Sequence, residues 1–311
     1  MKSIKNVICL LLADLIWGVA FVAQRTGGDA LGAYSFNCIR FLLGAVVLLP
    51  LIVGMDYLKK RGGVERNINR KRTWLGGLVC GIALFFASNL QQVGITLGAT
   101  VGKAGFLTAC YIILVPILGI FLKKKCSFMV GIGVILALIG LFLLCVKEGE
   151  LNFALADTLL LLCALAFAIQ ILAIDFFAPG LDPVRLSFVE FLVCGLLSGI
   201  PMFFVDMNHS MEGLMAWTTG FSKDAWIALL YAGIGSSGIA YTLQIVGQKD
   251  FHPTISSLIM SLESVFSVLA GWVLLSERLT GREVVGCIVI FAAVILAQVP
   301  VGNLKVSGAK K

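Results

Sequence analysis

Charged side chains are scarce. They make up 13% of the 311 residues, about half of what a soluble domain carries. Histidine occurs only at positions 209 and 252, as His209 and His252. No HExxH, no GxSxG and no close Asp/His cluster is present. Those absences argue against a hydrolase or metalloenzyme, and neither a cofactor nor a metal is expected. The nine cysteines contain no CxxC pair and fall mostly in apolar segments. They read as small hydrophobes rather than as a zinc or disulfide framework.

What fills the chain instead is hydrocarbon. Hydrophobic residues reach 59% and the mean hydropathy is +1.00. A helix needs about 20 apolar residues to cross a bilayer. Ten segments qualify, at about 4–24, 33–55, 74–94, 98–122, 127–146, 154–177, 183–205, 224–247, 252–275 and 281–299. They leave no soluble domain of useful size. The expected fold is an all-α integral membrane protein. The net charge of +7 could suggest nucleic acid, but its distribution does not. With the N-terminus inside, the clusters Lys59, Lys60, Arg61, then Arg70, Lys71, Arg72, then Lys123, Lys124, Lys125 all share its side. That bias places both termini in the cytoplasm of a multi-pass cell-membrane protein that touches lipid and no nucleic acid.

The stretch from Thr254 to Ala297 organises the rest: two apolar helices joined by a charged turn, Ser276-Glu277-Arg278-Leu279-Thr280, with Glu263 inside the first. A looser copy runs from Thr100 to Leu144. The correspondence extends to the whole chain. Leu11 to Gly18 lies over Leu161 to Ala168, which sets Trp17 on Phe167. Arg40-Phe41-Leu42 lies on Glu190-Phe191-Leu192. Trp74, Gly81 and Gln92 lie on Trp226, Gly233 and Gln244. Because the first segment is half of a repeat, it is not a cleaved leader. Each half holds five spans, and an odd number inverts the second half. Two inverted five-helix repeats are expected, at 1–149 and 150–300, followed by a basic tail at 301–311. Such repeats place a site near the midplane where they meet.

Small residues recur at Gly77/Gly81, Gly94/Gly98, Gly98/Gly102 and Gly195/Gly199, which lets helix backbones approach closely. Gly233-Ile234-Gly235-Ser236-Ser237-Gly238 imitates a dinucleotide fingerprint, but it lies inside a membrane helix, without a βαβ unit. Pro116 is expected to kink the fourth span. The outer loop from Met207 to Ser222, with Met211, Leu214, Met215 and Trp217, suggests an interfacial segment.

Polar residues inside the spans fall on shared faces. Asp14, Trp17 and Gln24 line one face of helix one, Asn37 and Arg40 of helix two, Gln91 and Gln92 neighbour each other on helix three. Tyr111 flanks the polar face of helix four, Glu190 marks helix seven, Tyr241 and Gln244 helix eight, and Glu263 helix nine. Facing lipid would cost each of them heavily, so they point inward. Trp17, Asn37, Arg40, Gln91, Gln92, Tyr111, Tyr241 and Gln244 are candidates for substrate binding. Asp14, Glu190 and Glu263 are candidates for carrying a proton or balancing charge. Each has a plainer reading: Arg40 and Glu190 as braces between helices, the glutamines as interhelical glue, and Lys103 as a cation snorkelling to the interface.

Leu15-Ile16-Trp17-Gly18-Val19-Ala20-Phe21, Arg40-Phe41-Leu42-Leu43-Gly44-Ala45 and Ser261-Leu262-Glu263-Ser264-Val265-Phe266, running to Ser276-Glu277-Arg278-Leu279 and Gly286, resemble the EamA-type transporters of the drug/metabolite transporter superfamily. The resemblance covers 1–300. It implies a central cavity lined by helices one, three, four, six, eight and nine, and members that move amino acids, other metabolites or drugs, often outward. Lys124, where the first repeat often has an acid, and Ser264, where many members have proline, depart from the pattern. The expectation is a secondary exporter of a small-molecule substrate such as an amino acid. It would work by alternating access as a monomer or homodimer, with protons as candidate coupling ion. An exporter of amphiphilic cations is the alternative; an integral-membrane enzyme is the rival of another class.

Overall fold

The computed structural model describes residues 2–61, 69–99, 101–124, 128–146, 154–207, 222–249, 251–275 and 280–298. Ten helices and no strand are present among them. The first three are α1 (Lys2–Leu31), α2 (Ala33–Arg61) and α3 (Arg70–Thr96). Helix α4 is in two pieces, Val101–Ala109 and Tyr111–Phe121, and α5 is Phe128–Cys145. The second half opens with α6 (Leu155–Phe177) and α7 (Pro183–Pro201, continued by a π-helical turn at Met202–Asp206). Helix α8 spans Lys223–Gln248 and holds a π-helical stretch at Tyr231–Tyr241. Helix α9 is again in two pieces, Pro253–Met260 and Glu263–Leu275, and α10 is Gly281–Gln298. Among the described residues, eight helices are long and apolar enough to cross a membrane, and the apolar Phe128–Leu144 is shorter. The interfacial loop at 208–221, the charged turn at 276–279 and the tail at 301–311 lie outside the described residues.

The packing follows the inverted repeat. Helix α1 packs on α8 and α9, and its counterpart α6 packs on α3 and α4. The equivalents α2 and α7 pack on each other, as do α5 and α10. The register that lays Arg40 on Glu190 also lays Asp56 on Asp206 and Ser35 on Arg185. The contacts obey it. At one end of the bundle the Arg185 guanidinium donates to Asp56. At the other, the Ser35 backbone N–H donates to Asp206 at 2.6 Å. Phe41 and Phe191, also equivalents, meet at 6.1 Å between ring centroids.

Small residues set the closest approaches. A Cβ at Gly140 of α5 would lie 2.9 Å from the Gly286 carbonyl of α10, and one at Gly286 would lie 2.8 Å from the Gly140 carbonyl. A Cβ at Gly18 of α1 would lie 2.7 Å from both the Phe266 Cβ and the Ser267 nitrogen of α9. Neither contact leaves room for a side chain.

The fourth helix of each repeat is interrupted, and glycine or proline sits at neither break. Cys110 ends the first piece of α4 with its N–H on the Leu107 carbonyl. Pro116 lies inside the second piece, so the interruption precedes the proline singled out in the sequence. In α9 the break at Ser261 and Leu262 comes just before Glu263. There the Ser261 hydroxyl donates to the Leu258 carbonyl at 2.6 Å and the Ser257 hydroxyl to the Thr254 carbonyl at 2.9 Å. Such bonds back along the chain compete with the helical ladder. Interrupted helices in corresponding positions of two inverted halves mark where a transporter's site is built.

Candidate substrate cavity between the repeats

A cavity lies between the two halves. Three helices of each repeat line it: α1, α3 and α4, then α6, α8 and α9. One wall is aromatic. Trp17 meets Tyr241 edge-on at 4.8 Å, and Tyr111 meets Phe167 at 6.4 Å. The Trp17 indole donates to the Ser236 carbonyl at 3.3 Å, inside the π-helical stretch of α8. The other wall is amide and hydroxyl. Gln91 donates to the Thr108 hydroxyl at 3.2 Å, and Gln244 exchanges hydrogen bonds with Gln170. Glu263 is the acid on the lining; among the described lining residues there is no Lys, Arg or His.

Of the residues singled out in the sequence, Trp17, Gln91, Tyr111, Tyr241, Gln244 and Glu263 meet on this cavity. Five others stand one layer back. Gln92 turns away and donates to the Gln24 carbonyl at 2.8 Å, tying α3 to α1. Asn37 donates to the Ser88 carbonyl at 2.9 Å and accepts from Arg40 Nε at 2.8 Å. The Arg40 guanidinium lies 4.5 Å over the Phe41 ring, and both of its terminal nitrogens are buried without a hydrogen-bond partner. Glu190 accepts from Gln170 at 2.8 Å through one oxygen, and its other oxygen has no partner. Arg40 and Glu190 are fully buried equivalents, yet no ion pair joins them.

Asp14 is fully buried and neither of its oxygens has a hydrogen-bond partner. Helices α1 and α9 run in the same direction, and Gly18 sits against Phe266 and Ser267. One turn back, this places Asp14 of α1 level with Glu263 of α9. Lys103 does not snorkel: its ammonium pairs with Asp157 of α6 at 2.8 Å. Asp157 also accepts from the Ala154 backbone N–H at 2.7 Å. Asp157→Ala should therefore destabilise the protein by about 2 kcal/mol, since it removes the ion pair across α4 and α6 and leaves the Ala154 N–H uncapped. Thermal unfolding in detergent would measure it. Thr108, Phe167, Ile171, Ser236 and Met260 also line the cavity. Phe167 was legible, as the repeat partner of Trp17. Among the described residues no group of three or more His, Cys, Asp or Glu stands close enough to hold a metal ion.

The EamA-like transporter family matches this chain twice, at residues 4–146 and 154–298. The chain belongs to that family. An uncharacterized transporter of Archaeoglobus fulgidus is 28% identical over 94% of this chain and 85% of its own length. A chloroplastic WAT1-related protein of Arabidopsis thaliana is 24% identical over 94% of this chain and 69% of its own. A crystal structure superimposes with a TM-score of 0.73 at 18% identity, covering 94% of this chain and 96% of that one; at that identity it shows the fold. This EamA-like transporter is thus a multi-pass membrane protein whose two family repeats coincide with the two five-helix halves. Its cavity lies where they join.

Proposed function

We propose that the protein is a secondary exporter, in the cell membrane and with both termini cytoplasmic, of small solutes that carry an ammonium group. Amino acids are the first class. The carrying observation is the cavity lining: one carboxylate, Glu263, among the rings of Trp17, Tyr111, Phe167 and Tyr241, with no cation among the described lining residues. A desolvated ammonium is held by such rings and by the carboxylate together. Gln91 and Gln244 would fix the rest of the solute by hydrogen bonds. Asp14, level with Glu263 and without a partner, suits the coupling step. A proton taken up there as the solute leaves would keep the buried charge nearly constant through the cycle. Alternating access would be carried by the interrupted helices α4 and α9 and the π-helical stretch of α8.

The test is flux into and out of proteoliposomes for a panel of amino acids, with and without an imposed pH gradient. The expected result is saturable flux of one amino-acid class that an opposing proton gradient accelerates. Glu263→Gln should lower that flux at least about tenfold, the loss of one charge-assisted hydrogen bond, while leaving the unfolding midpoint in place. The same lining suits amphiphilic cations. Flux of quaternary amines with none of amino acids would favour that second reading. No flux of any small solute above empty liposomes would remove both.

A further inference from the structure

A second hollow lies on the flank of the bundle, away from the substrate cavity. It sits between α2, α3 and α7 and has about 850 Å³ of empty space. Its lower wall is apolar: Leu49 and Ile52 of α2, Trp74 of α3, Phe188 and Val189 of α7. Leu49 and Trp74 are exposed on the outer, lipid-facing side. Its rim is charged and holds Asp56, Arg70 and Arg185. This is the end of the bundle that also carries Lys59, Lys60, Lys71 and Arg72.

The rim charges are unevenly committed. Arg185 donates to Asp56 through one terminal nitrogen, and its Nε lies 3.9 Å from Asp182. Asp182 is shared with Lys59 at 3.6 Å, and Arg72 donates to the Phe176 carbonyl at 3.1 Å. Arg70 is exposed and forms no ion pair or hydrogen bond among the described residues. Among the described residues, cations therefore outnumber the carboxylates Asp56 and Asp182 here, and Arg70 is held ready over an apolar slot. At the opposite end of the molecule the equivalent contact is the one between Asp206 and Ser35, which brings no arginine.

We propose that this crevice binds one anionic phospholipid. The headgroup phosphate would sit between Arg70 and the outer edge of the Arg185 guanidinium, whose planar forks match phosphate oxygens. The glycerol backbone would lie at the level of the Trp74 ring, where tryptophan favours the membrane interface. The first part of an acyl chain would run over Leu49 and Ile52 toward bulk lipid. A soluble anion would satisfy the rim but leave the apolar wall open to water. A phospholipid satisfies both, which is why basic pockets between helices select such headgroups. Helices α2 and α3 belong to the first repeat and α7 to the second, so the bound lipid bridges the two halves at the Asp56–Arg185 contact. The inference is independent of the solute transported.

The experiment uses the full-length protein in a neutral detergent, where no membrane surface field contributes. Phosphatidylglycerol, phosphatidylcholine and inorganic phosphate are titrated separately. Bound lipid is counted by native mass spectrometry, and the unfolding midpoint is followed in parallel. One phosphatidylglycerol should be retained at least about tenfold more strongly than phosphatidylcholine and should raise the midpoint. Arg70→Gln should remove about tenfold of that preference without lowering the lipid-free midpoint, because the side chain is exposed. Trp74→Ala should weaken retention of phosphatidylglycerol and leave any binding of phosphate alone unchanged. Lys60→Gln, on the same basic end but off the crevice, should change retention less than about twofold. Equal retention of the two lipids would overturn the proposal. So would equal losses in Arg70→Gln and Lys60→Gln, which would mean diffuse surface charge. Competition by inorganic phosphate as effective as that by the lipid would also overturn it, leaving a free-anion site.

Discussion

Gly18→Val should leave little folded transporter, and what folds should be inactive. Gly18 is where α1, from the first repeat, crosses α9, from the second. The added Cβ would lie 2.7 Å from a side-chain carbon and 2.7 Å from a backbone nitrogen. A flexible side-chain tip could move aside. The Ser267 nitrogen and the Phe266 Cβ cannot, so one helix must shift bodily. Inserting methyl groups into a packed interface costs about 1–3 kcal/mol, and the immobile partner puts this case at the upper end or beyond. The shift would fall one turn from Asp14 and Glu263 and would part the two carboxyl groups. Expected results are a lowered unfolding midpoint, a smaller monodisperse fraction and flux at the level of empty liposomes. Gly54→Val is the control. Nothing lies within 4 Å of a Cβ there, and its effect should stay within about 0.5 kcal/mol. Equal losses in both variants would mean that backbone propensity, not the α1–α9 crossing, governs Gly18.

The architecture was largely legible because two periodicities coincide. Apolar runs of membrane length give the spans, and the register of Arg40-Phe41-Leu42 on Glu190-Phe191-Leu192 gives the inversion. Phe41 and Phe191 meeting near the pseudo-twofold axis is that register seen in three dimensions. The cavity was legible only in part, for a physical reason. Helical spacing fixes a face about a third of the circumference wide, not the neighbour a side chain turns to. Gln91 and Gln92 are adjacent, and only Gln91 reaches the cavity, while Gln92 binds a carbonyl of α1. The interruptions at Cys110 and Ser261 carry no glycine or proline. At Ser261 serine hydroxyls bond back to the helical carbonyls, and at Cys110 the thiol bonds back to the Phe106 carbonyl; a propensity reading does not see such bonds. The unpaired state of Arg40 and Glu190 was likewise invisible. Register brings two charges to equivalent positions, but whether they touch depends on the rings of Phe41, Phe191 and Tyr241 packed around them.

Arg40→Met should separate function from stability more sharply than any other change. The native guanidinium is 1% exposed, bonded through Nε alone, with both terminal nitrogens unsatisfied. A buried cation in that state opposes folding, and replacing buried charge by a packed apolar side chain is often neutral or stabilising by about 1–4 kcal/mol. Methionine fills most of the same space against Phe36 and Phe41 and leaves one Asn37 oxygen to re-pair. The unfolding midpoint should therefore hold or rise. Flux should behave oppositely. The Tyr241 ring lies on the cavity wall and 5.9 Å from Phe41, on which the guanidinium rests. A rotation of Tyr241 would open the two free nitrogens to a carboxylate whose ammonium is held at Glu263. Losing such a bidentate contact costs about 2–5 kcal/mol, so amino-acid flux should fall by roughly thirtyfold or more. Flux of a matched amine lacking the carboxylate should be nearly unchanged. Arg40→Met with Glu190→Gln separates this from simple charge balance, because the double variant restores neutrality and should still fail to carry amino acids. If the double variant recovers amino-acid flux, Arg40 serves to offset Glu190. If Arg40→Met unfolds the protein while Arg40→Lys does not, the residue is a brace between α2 and α7, and the carboxylate must be recognised elsewhere.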